Sequence, residues 1–522
     1  MKINKIGNNN LAESSAYILI ILALLVGFVI RFLSLFQYTT FDIGPAPDQV
    51  RDAFVYMNMW QGKLPTLGPS ASVGGYHLPP LYYYLVFPFT ILGADPRFQV
   101  LPNTLFSFLS IPLLIYLVYE LLKNINYSYR ILLAGLAGFW YSLIFGEIFI
   151  STFQWNPSPI PFFLMSFILI YKTQLESKFF QKSTEIILWI LYGIDLAILV
   201  SLHSTTMFVM PLIFIASLIF FAYKNCYDFQ KLFLSSFSFI FALIALLPYW
   251  QGEINRNFSN SKQIIMTIFA SKNEVTHFSI WQRLSSVIFN YFELGQQAYF
   301  VGNSWIYILV SIIFLSLVLY FGIAKFQGNN IIFILFGFTW LLYLYAASNF
   351  QGTFFIHYKL LFLLSPLIFT VITLAYLDYS KTLNIVISII VIFGIIFSCW
   401  SNLSLDYRYL LSKYGSDRLI STTDVVNILN QVPKQSTICE PNYSKSRTIR
   451  NPYNYIDMYI TKRQLKIVND CFANNYILHT KYKMIQSMDY LWPVFEIKAN
   501  QFKEKNYSLY LDTSVAQVYI KP

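Results

Sequence analysis

Along the first 400 residues, long apolar runs alternate with short polar turns. A helix crossing about 30 Å of hydrocarbon needs about 20 apolar residues. The runs predict eleven such helices, at 16–36, 98–122, 131–149, 158–171, 186–202, 205–223, 231–249, 303–324, 331–348, 359–378 and 383–400. A twelfth run, 81–93 (LYYYLVFPFTILG), is shorter and contains Pro88, so it predicts an interfacial or re-entrant helix. Past residue 400 the period changes. Alternating runs at Val494–Lys498, Tyr507–Asp512 and Ala516–Ile520 predict strands, and a stretch near Thr423–Leu429 predicts a helix. The expected architecture is a multi-pass α-helical membrane domain over 1–400, followed by a small α+β domain over 401–522. No internal repeat stands out.

Composition agrees with that division. Of 522 residues, 56% are apolar and only 12% charged, where soluble domains carry about 25% charged residues. Residues 1–400 hold 20 Lys/Arg and 15 Asp/Glu, whereas the last 122 hold 16 and 10. The net charge of +11 does not call for nucleic acid. Basic excess in a membrane chain follows from the bias of cytoplasmic loops, and no basic patch interleaved with aromatics is present.

The basic residues also orient the chain. With eleven spans and a cytoplasmic N-terminus, Lys2, Lys5, Lys123, Arg130, Lys172, Lys178, Lys182, Lys224, Lys231, Lys325 and Lys381 all fall inside. The short turns near 150–157, 203–204 and 349–358 fall outside and carry no Lys or Arg. Counting 81–93 as a span would invert this pattern. The same parity puts 37–97, 250–302 and the tail 401–522 on the extracytoplasmic side of what is expected to be a bacterial cytoplasmic membrane. The first span lacks a cleavage signature and is expected to stay as an anchor. Arg31, near its outer end, is expected to snorkel to the interface. Cys226 and Cys399 sit at span edges; Cys439 and Cys471 share the outside tail, where an oxidising compartment would permit a disulfide. Asn402, Asn442 and Asn506 each begin a glycosylation sequon.

Candidate chemistry concentrates in the first outside loop. From Pro47, the residues Val50, Ala53, Phe54, Met57 and Trp60 recur at helical spacing, and Gly62 closes the pattern. An amphipathic helix lying on the membrane surface is expected there. Asp48 falls in its first turn, where the helix dipole favours a carboxylate. Asp52 lies four residues on, and Asp42 precedes the helix. Asp48 has two readings. It either caps the helix and pairs with Arg51, or serves as a reactive carboxylate. Tyr82, Tyr83 and Tyr84 line a groove, stack on sugar or form an interfacial belt. Glu147 and Asp195 are acids within or near spans, where charge is costly. Glu147 lies near an outer end and could face a cavity, whereas Asp195 suits a polar contact between helices. Glu253 reads as a solvated loop charge.

Asp48-Gln49 with Arg51, followed by His77-Leu78-Pro79-Pro80-Leu81, resembles the GT-C superfamily of membrane glycosyltransferases. Within it, the pattern is similar to the family of protein O-mannosyltransferases and aminoarabinose transferases. Trp155-Asn156-Pro157-Ser158-Pro159, His203, Leu247-Pro248-Tyr249 and His357-Tyr358 with Pro366 follow in the family's order, so the resemblance runs across 16–370. Three features depart from it: Asp-Gln replaces the acidic pair, Leu78 separates His77 from the prolines, and the second acidic motif is missing from the Trp155 turn. The resemblance implies an enzyme that takes a sugar from a polyprenyl-phosphate-linked donor and passes it, with inversion, to a glycan, lipid or protein acceptor at the outer face. It implies Asp48 as base with Asp42 in reserve. It also implies Arg51, His77, Arg97, His357 and Lys359 as phosphate-side cations, with Tyr82 and Glu147 lining the site. Interfacial snorkelling is the other reading of Lys359, and a hydrogen bond beside the Pro-Pro turn the other reading of His77. The cofactor requirement is open, and the motifs do not call for a divalent metal. The competing expectations are a transporter or flippase of a lipid-linked glycan, and a glycan polymerase or ligase of another fold.

Overall fold

The computed structural model describes residues 9–38, 48–71, 74–152, 154–176, 182–274, 279–301, 305–325, 356–411, 422–439, 452–468, 476–480, 508–512 and 516–520. The helices are α1 (Asn9–Tyr38), α2 (Asp48–Trp60), α3 (Leu81–Val86, continued by a 3-10 turn to Leu92), α4 (Pro96–Leu121), α5 (Tyr127–Ser142), α6 (Phe145–Ser151), α7 (Ile160–Glu176), α8 (Lys182–Leu202), α9 (Ser204–Lys224), α10 (Phe229–Ala245), α11 (Leu247–Asn255), α12 (Ser259–Glu274), α13 (Ile280–Leu294), α14 (Trp305–Lys325), α15 (Ile356–Lys359), α16 (Leu364–Tyr376), α17 (Thr382–Leu411), α18 (Thr422–Gln431) and α19 (Pro452–Ile456). Among the described residues, six helices are long and apolar enough to cross a membrane, and eight if each of two bent pairs is counted as one span. Ten of the eleven expected runs coincide with helices, and the run 331–348 lies outside the described residues. The segment Leu81–Leu92 is helical but short, as Pro88 and its length led one to expect.

The bundle is built by α1 packing on α4 and α5, α4 on α7, α8 on α7, α9 and α10, and α14 on α16. One contiguous core joins these helices to α2 and α3. Two spans are broken. The α10/α11 break of 51° follows from Pro248 in the first turn of α11. The α5/α6 break of 58° exposes backbone groups that other helices satisfy. Arg31 of α1 donates to the Ser142 carbonyl at 2.9 Å, and the Phe145 amide donates to Asn402 of α17 at 2.9 Å.

These contacts change the reading of several polar residues. Arg31 does not snorkel: it is fully buried, donating to Ser107 and pairing with Glu147 at 2.6 Å. Asn402 is buried inside α17 with its amide engaged, so its sequon is not presented for glycosylation. Asn442 and Asn506 lie outside the described residues. Asp195 is buried facing Ser166 of α7, a polar contact between helices as expected. Glu253 is buried rather than solvated, accepting from the Ser261 amide at 2.7 Å at the start of α12.

The tail holds a five-stranded mixed sheet of order β2-β1-β3-β5-β4. Its strands are β1 (Thr437–Cys439), β2 (Lys466–Val468), β3 (Tyr476–Thr480), β4 (Ser508–Asp512) and β5 (Ala516–Ile520). β1 runs parallel to β2 and β3, while β5 pairs antiparallel with β3 and β4. Two of the three expected strands are β4 and β5, and the expected helix is α18. Val494–Lys498 and Cys471, and with Cys471 the disulfide expectation, lie outside the described residues. The tail reaches the membrane part through α19. Tyr455 donates to the Ala94 carbonyl, accepts from Gln99 and packs edge-on against Phe54 of α2.

Candidate active site

The residues of α2 form a helix with Asp48 in its first turn. Gly62, at φ +81°, ends it, while Gly62 and Lys63 donate back to Met59 and Asn58. Val50, Ala53, Tyr56 and Met57 are buried together with Tyr82, Tyr83 and Val86. The apolar stripe of α2 is therefore covered by protein, which corrects the expectation that it rests on the membrane surface. Only Trp60 at its end is half exposed, donating to Thr90 at 3.0 Å.

On the polar side, Arg51 sits between two carboxylates. Its Nε donates to Asp52 Oδ1 at 2.7 Å, and its Nη1 donates to Asp48 Oδ1 at 2.8 Å and to Ser70 Oγ at 2.9 Å. Tyr83 donates to the same Asp52 oxygen at 2.7 Å. The two acids differ in access: the Asp48 side chain is 40% exposed and that of Asp52 0%. Burial alone would lower the Arg51 pKa, but Asp52, Tyr83 and Asp48 together raise it, so the guanidinium stays charged. Burial pushes the Tyr83 phenol well above its ordinary range, and the charge of Asp52 adds to this, so Tyr83 remains a donor.

The tyrosines of α3 are not an interfacial belt. Tyr82 and Tyr83 are buried and hydrogen-bonded, because protein lies on both sides of this short helix. Tyr82 accepts from Asn103 at 3.0 Å, Asn103 also donates to the Trp155 carbonyl, and Gln154 donates to Tyr56 at 2.9 Å. The Trp155 turn thus joins α2 to a second cluster, where His357 packs on Trp155 at 4.3 Å and near His203 at 5.6 Å. His203 caps α9 through its own ring, and burial lowers its pKa to about 4.

Ser70 and His77 pair as an isolated antiparallel bridge. Gly68 is required there, since a Cβ would fall 2.2 Å from the Pro79 carbonyl oxygen. His77 Nδ1 lies 3.0 Å from the Gly68 carbonyl, which can only accept, so Nδ1 carries the proton and Nε2 is left as the outer nitrogen. Asn260 of α12 holds the His77 backbone at both its amide and its carbonyl.

The remaining predicted cations are already engaged. Arg97 forks onto Asp95, the N-cap of α4, with Nη2 at 2.5 Å. Lys359 is buried rather than snorkelling, donating to Glu293 at 2.5 Å and Gln297 at 3.0 Å. Glu147 carries Arg31 inside the bundle instead of lining an open space. Asp42 lies outside the described residues. The structure therefore joins Asp48 and Arg51 by hydrogen bonds, packs Tyr82 beside them through Tyr83 at 6.3 Å, and places His77 on the adjoining segment and His357 against the Trp155 turn. Asp52, noted in the sequence but given no role there, adjoins them, and Ser70, Asn103 and Gln154 escaped the sequence. The four-residue spacing from Asp48 is what flagged Asp52; the other three carry no such signal. Among the described residues, no group of three or more His, Cys, Asp or Glu side chains is placed to hold a metal ion.

No protein-family model matches the sequence, and no curated protein matches it. Solved structures do. ArnT from Cupriavidus metallidurans in the apo state superposes with a TM-score of 0.56 at 10% identity, covering 98% of each chain. The same protein bound to undecaprenyl phosphate gives 0.53 at 10% identity, covering 96% of this chain and 97% of that one. At that identity the likeness is one of fold: the chain shares the fold of the ArnT structures.

Proposed function

We propose that the chain is an inverting glycosyltransferase that moves a sugar from a polyprenyl-phosphate-linked donor to an acceptor hydroxyl at the outer face of the membrane. The observation that carries the reading is the Asp48–Arg51 pair: an accessible carboxylate beside a cation at the head of a helix, within the fold that ArnT has. The crystallised lipid phosphate of that protein belongs to the class of carrier the reaction would release. Asp48 takes the proton of the acceptor hydroxyl as its oxygen bonds to the anomeric carbon. On the opposite side of the sugar, the bond from that carbon to the phosphate oxygen breaks. The electron pair stays on the phosphate, and Arg51 meets its growing charge, joined by His77 when its outer Nε2 also carries a proton. Asp42 stands in reserve as base. His357 and Tyr82 line the far side, while Arg97, Lys359 and Glu147 reach substrate only by leaving their present partners.

In this reading the membrane part, 1–400, has eleven spans with the N-terminus in the cytoplasm, and 401–522 forms an extracytoplasmic domain. The membrane is the bacterial cytoplasmic membrane, and the acceptor is a glycan, lipid or protein. The test is purified full-length protein in proteoliposomes, given a polyprenyl-phosphate sugar labelled in the sugar and an envelope extract as acceptor. Label moving to the extract with release of polyprenyl phosphate is the expected result. Label crossing the bilayer still attached to its carrier would make the chain a transporter instead.

A further inference from the structure

Asp52 is fully buried, yet both of its hydrogen bonds fall on one oxygen, Oδ1. Its Oδ2 and the Nη2 of Arg51 are buried without a hydrogen-bond partner. A buried Arg–carboxylate pair frequently closes the fork, with Nε and Nη2 on the two carboxylate oxygens. Here the fork is half made. Asp52 holds Arg51 at Nε on its buried edge, Tyr83 holds Asp52, and the more accessible end of the guanidinium, Nη1, reaches Asp48 and Ser70. Tyr83 itself is wedged against Tyr56 at 5.8 Å and beside Tyr82 at 6.3 Å, so its hydroxyl is fixed by packing. The arrangement is a rigid handle on an arginine whose accessible end lies beside Asp48.

We propose that Asp52 is a positioning residue, which, braced by Tyr83, fixes Arg51 from its buried edge so that the Nη1 end, beside Asp48, is aimed at the phosphate of a polyprenyl-phosphate ligand. This rests on the transferase reading given above. It divides labour between two acids four residues apart: Asp48, half exposed, handles the acceptor proton, and Asp52, sealed from solvent, never touches substrate. Asp52 acts through Arg51 alone, so removing the arginine should remove the effect of removing the acid.

The test is binding of fluorescent polyprenyl phosphate to full-length protein in nanodiscs, with thermal unfolding followed in parallel. Asp52→Asn keeps the size and the Oδ1 acceptor but loses the charge. It should weaken binding about tenfold or more while unfolding close to wild type. Tyr83→Phe should weaken binding in the same direction by a smaller factor, and it serves as the probe should Asp52→Asn fold poorly. In an Arg51→Ala background, Asp52→Asn should change affinity no further. Equal binding by wild type and Asp52→Asn overturns the positioning role, as does a full tenfold loss that persists without Arg51. A wild-type chain that binds no polyprenyl phosphate sinks the transferase reading itself, a result distinct from either of those.

Discussion

At the scale of residues, burial separates charges that look alike in the sequence. Arg31 and Arg51 both lie within a few residues of a helix end, yet one is sealed in the bundle on Glu147 and the other keeps a solvent-facing edge. Removing one partner of a sealed pair strands the other. Arg31→Met should therefore cost about 3–5 kcal/mol in thermal unfolding, and adding Glu147→Gln should recover much of that loss. A single variant as stable as wild type would show the pair to be dispensable. The sequence exposed Asp48, Arg51 and His77 because their spacing marks a helix start and a Pro-Pro turn. It hid Ser70, Asn103 and Gln154, since a lone polar residue in a loop or helix carries no periodic signal. It also misplaced Tyr82 and Tyr83, because three adjacent tyrosines suit a lipid interface and a buried short helix equally well.

At the scale of elements, the spans were legible from length and hydropathy, but their breaks were not. Pro248 announces the bend before α11, whereas the bend between α5 and α6 has no proline and depends on Arg31 and Asn402, which arrive from distant helices. The membrane-surface expectation for α2 failed for a similar reason. Its hydrophobic stripe predicts burial but not what covers it, and the cover comes from α3 and the tail. The turn between α8 and α9 has a pH dependence of its own. His203 is buried neutral, with a pKa lowered to about 4 against about 6.5 when unfolded. Between those values the unfolded chain binds the extra proton, so stability is complete above about pH 6.5 and falls as pH drops toward 4, by on the order of 3 kcal/mol at most. Unfolding temperatures of His203→Asn, which keeps an N-cap acceptor, should depend less on pH across that window. An identical pH slope in both proteins would place the titrating group elsewhere.

At the scale of the whole molecule, the division into a helical membrane part and a mixed-sheet tail follows from the change in charge density and period near residue 400. The contact of Tyr455 with Phe54 does not: residues 401 positions apart in a single sequence leave no trace of their meeting. Orientation is the large-scale claim most open to test, and a native cysteine serves it. Cys226, exposed between α9 and α10, is placed on the cytoplasmic side by the basic-residue pattern. With Cys439 and Cys471 replaced by serine, a membrane-impermeant maleimide should label inverted vesicles and spare right-side-out ones; the opposite pattern would invert the topology. The central claim is chemical, and turnover of a polyprenyl-phosphate sugar by wild type against Asp48→Asn tests it most directly. The account predicts a 10²–10⁴-fold loss of transfer with polyprenyl phosphate still bound, and an Asp48→Asn protein that transfers sugar at the wild-type rate would contradict it.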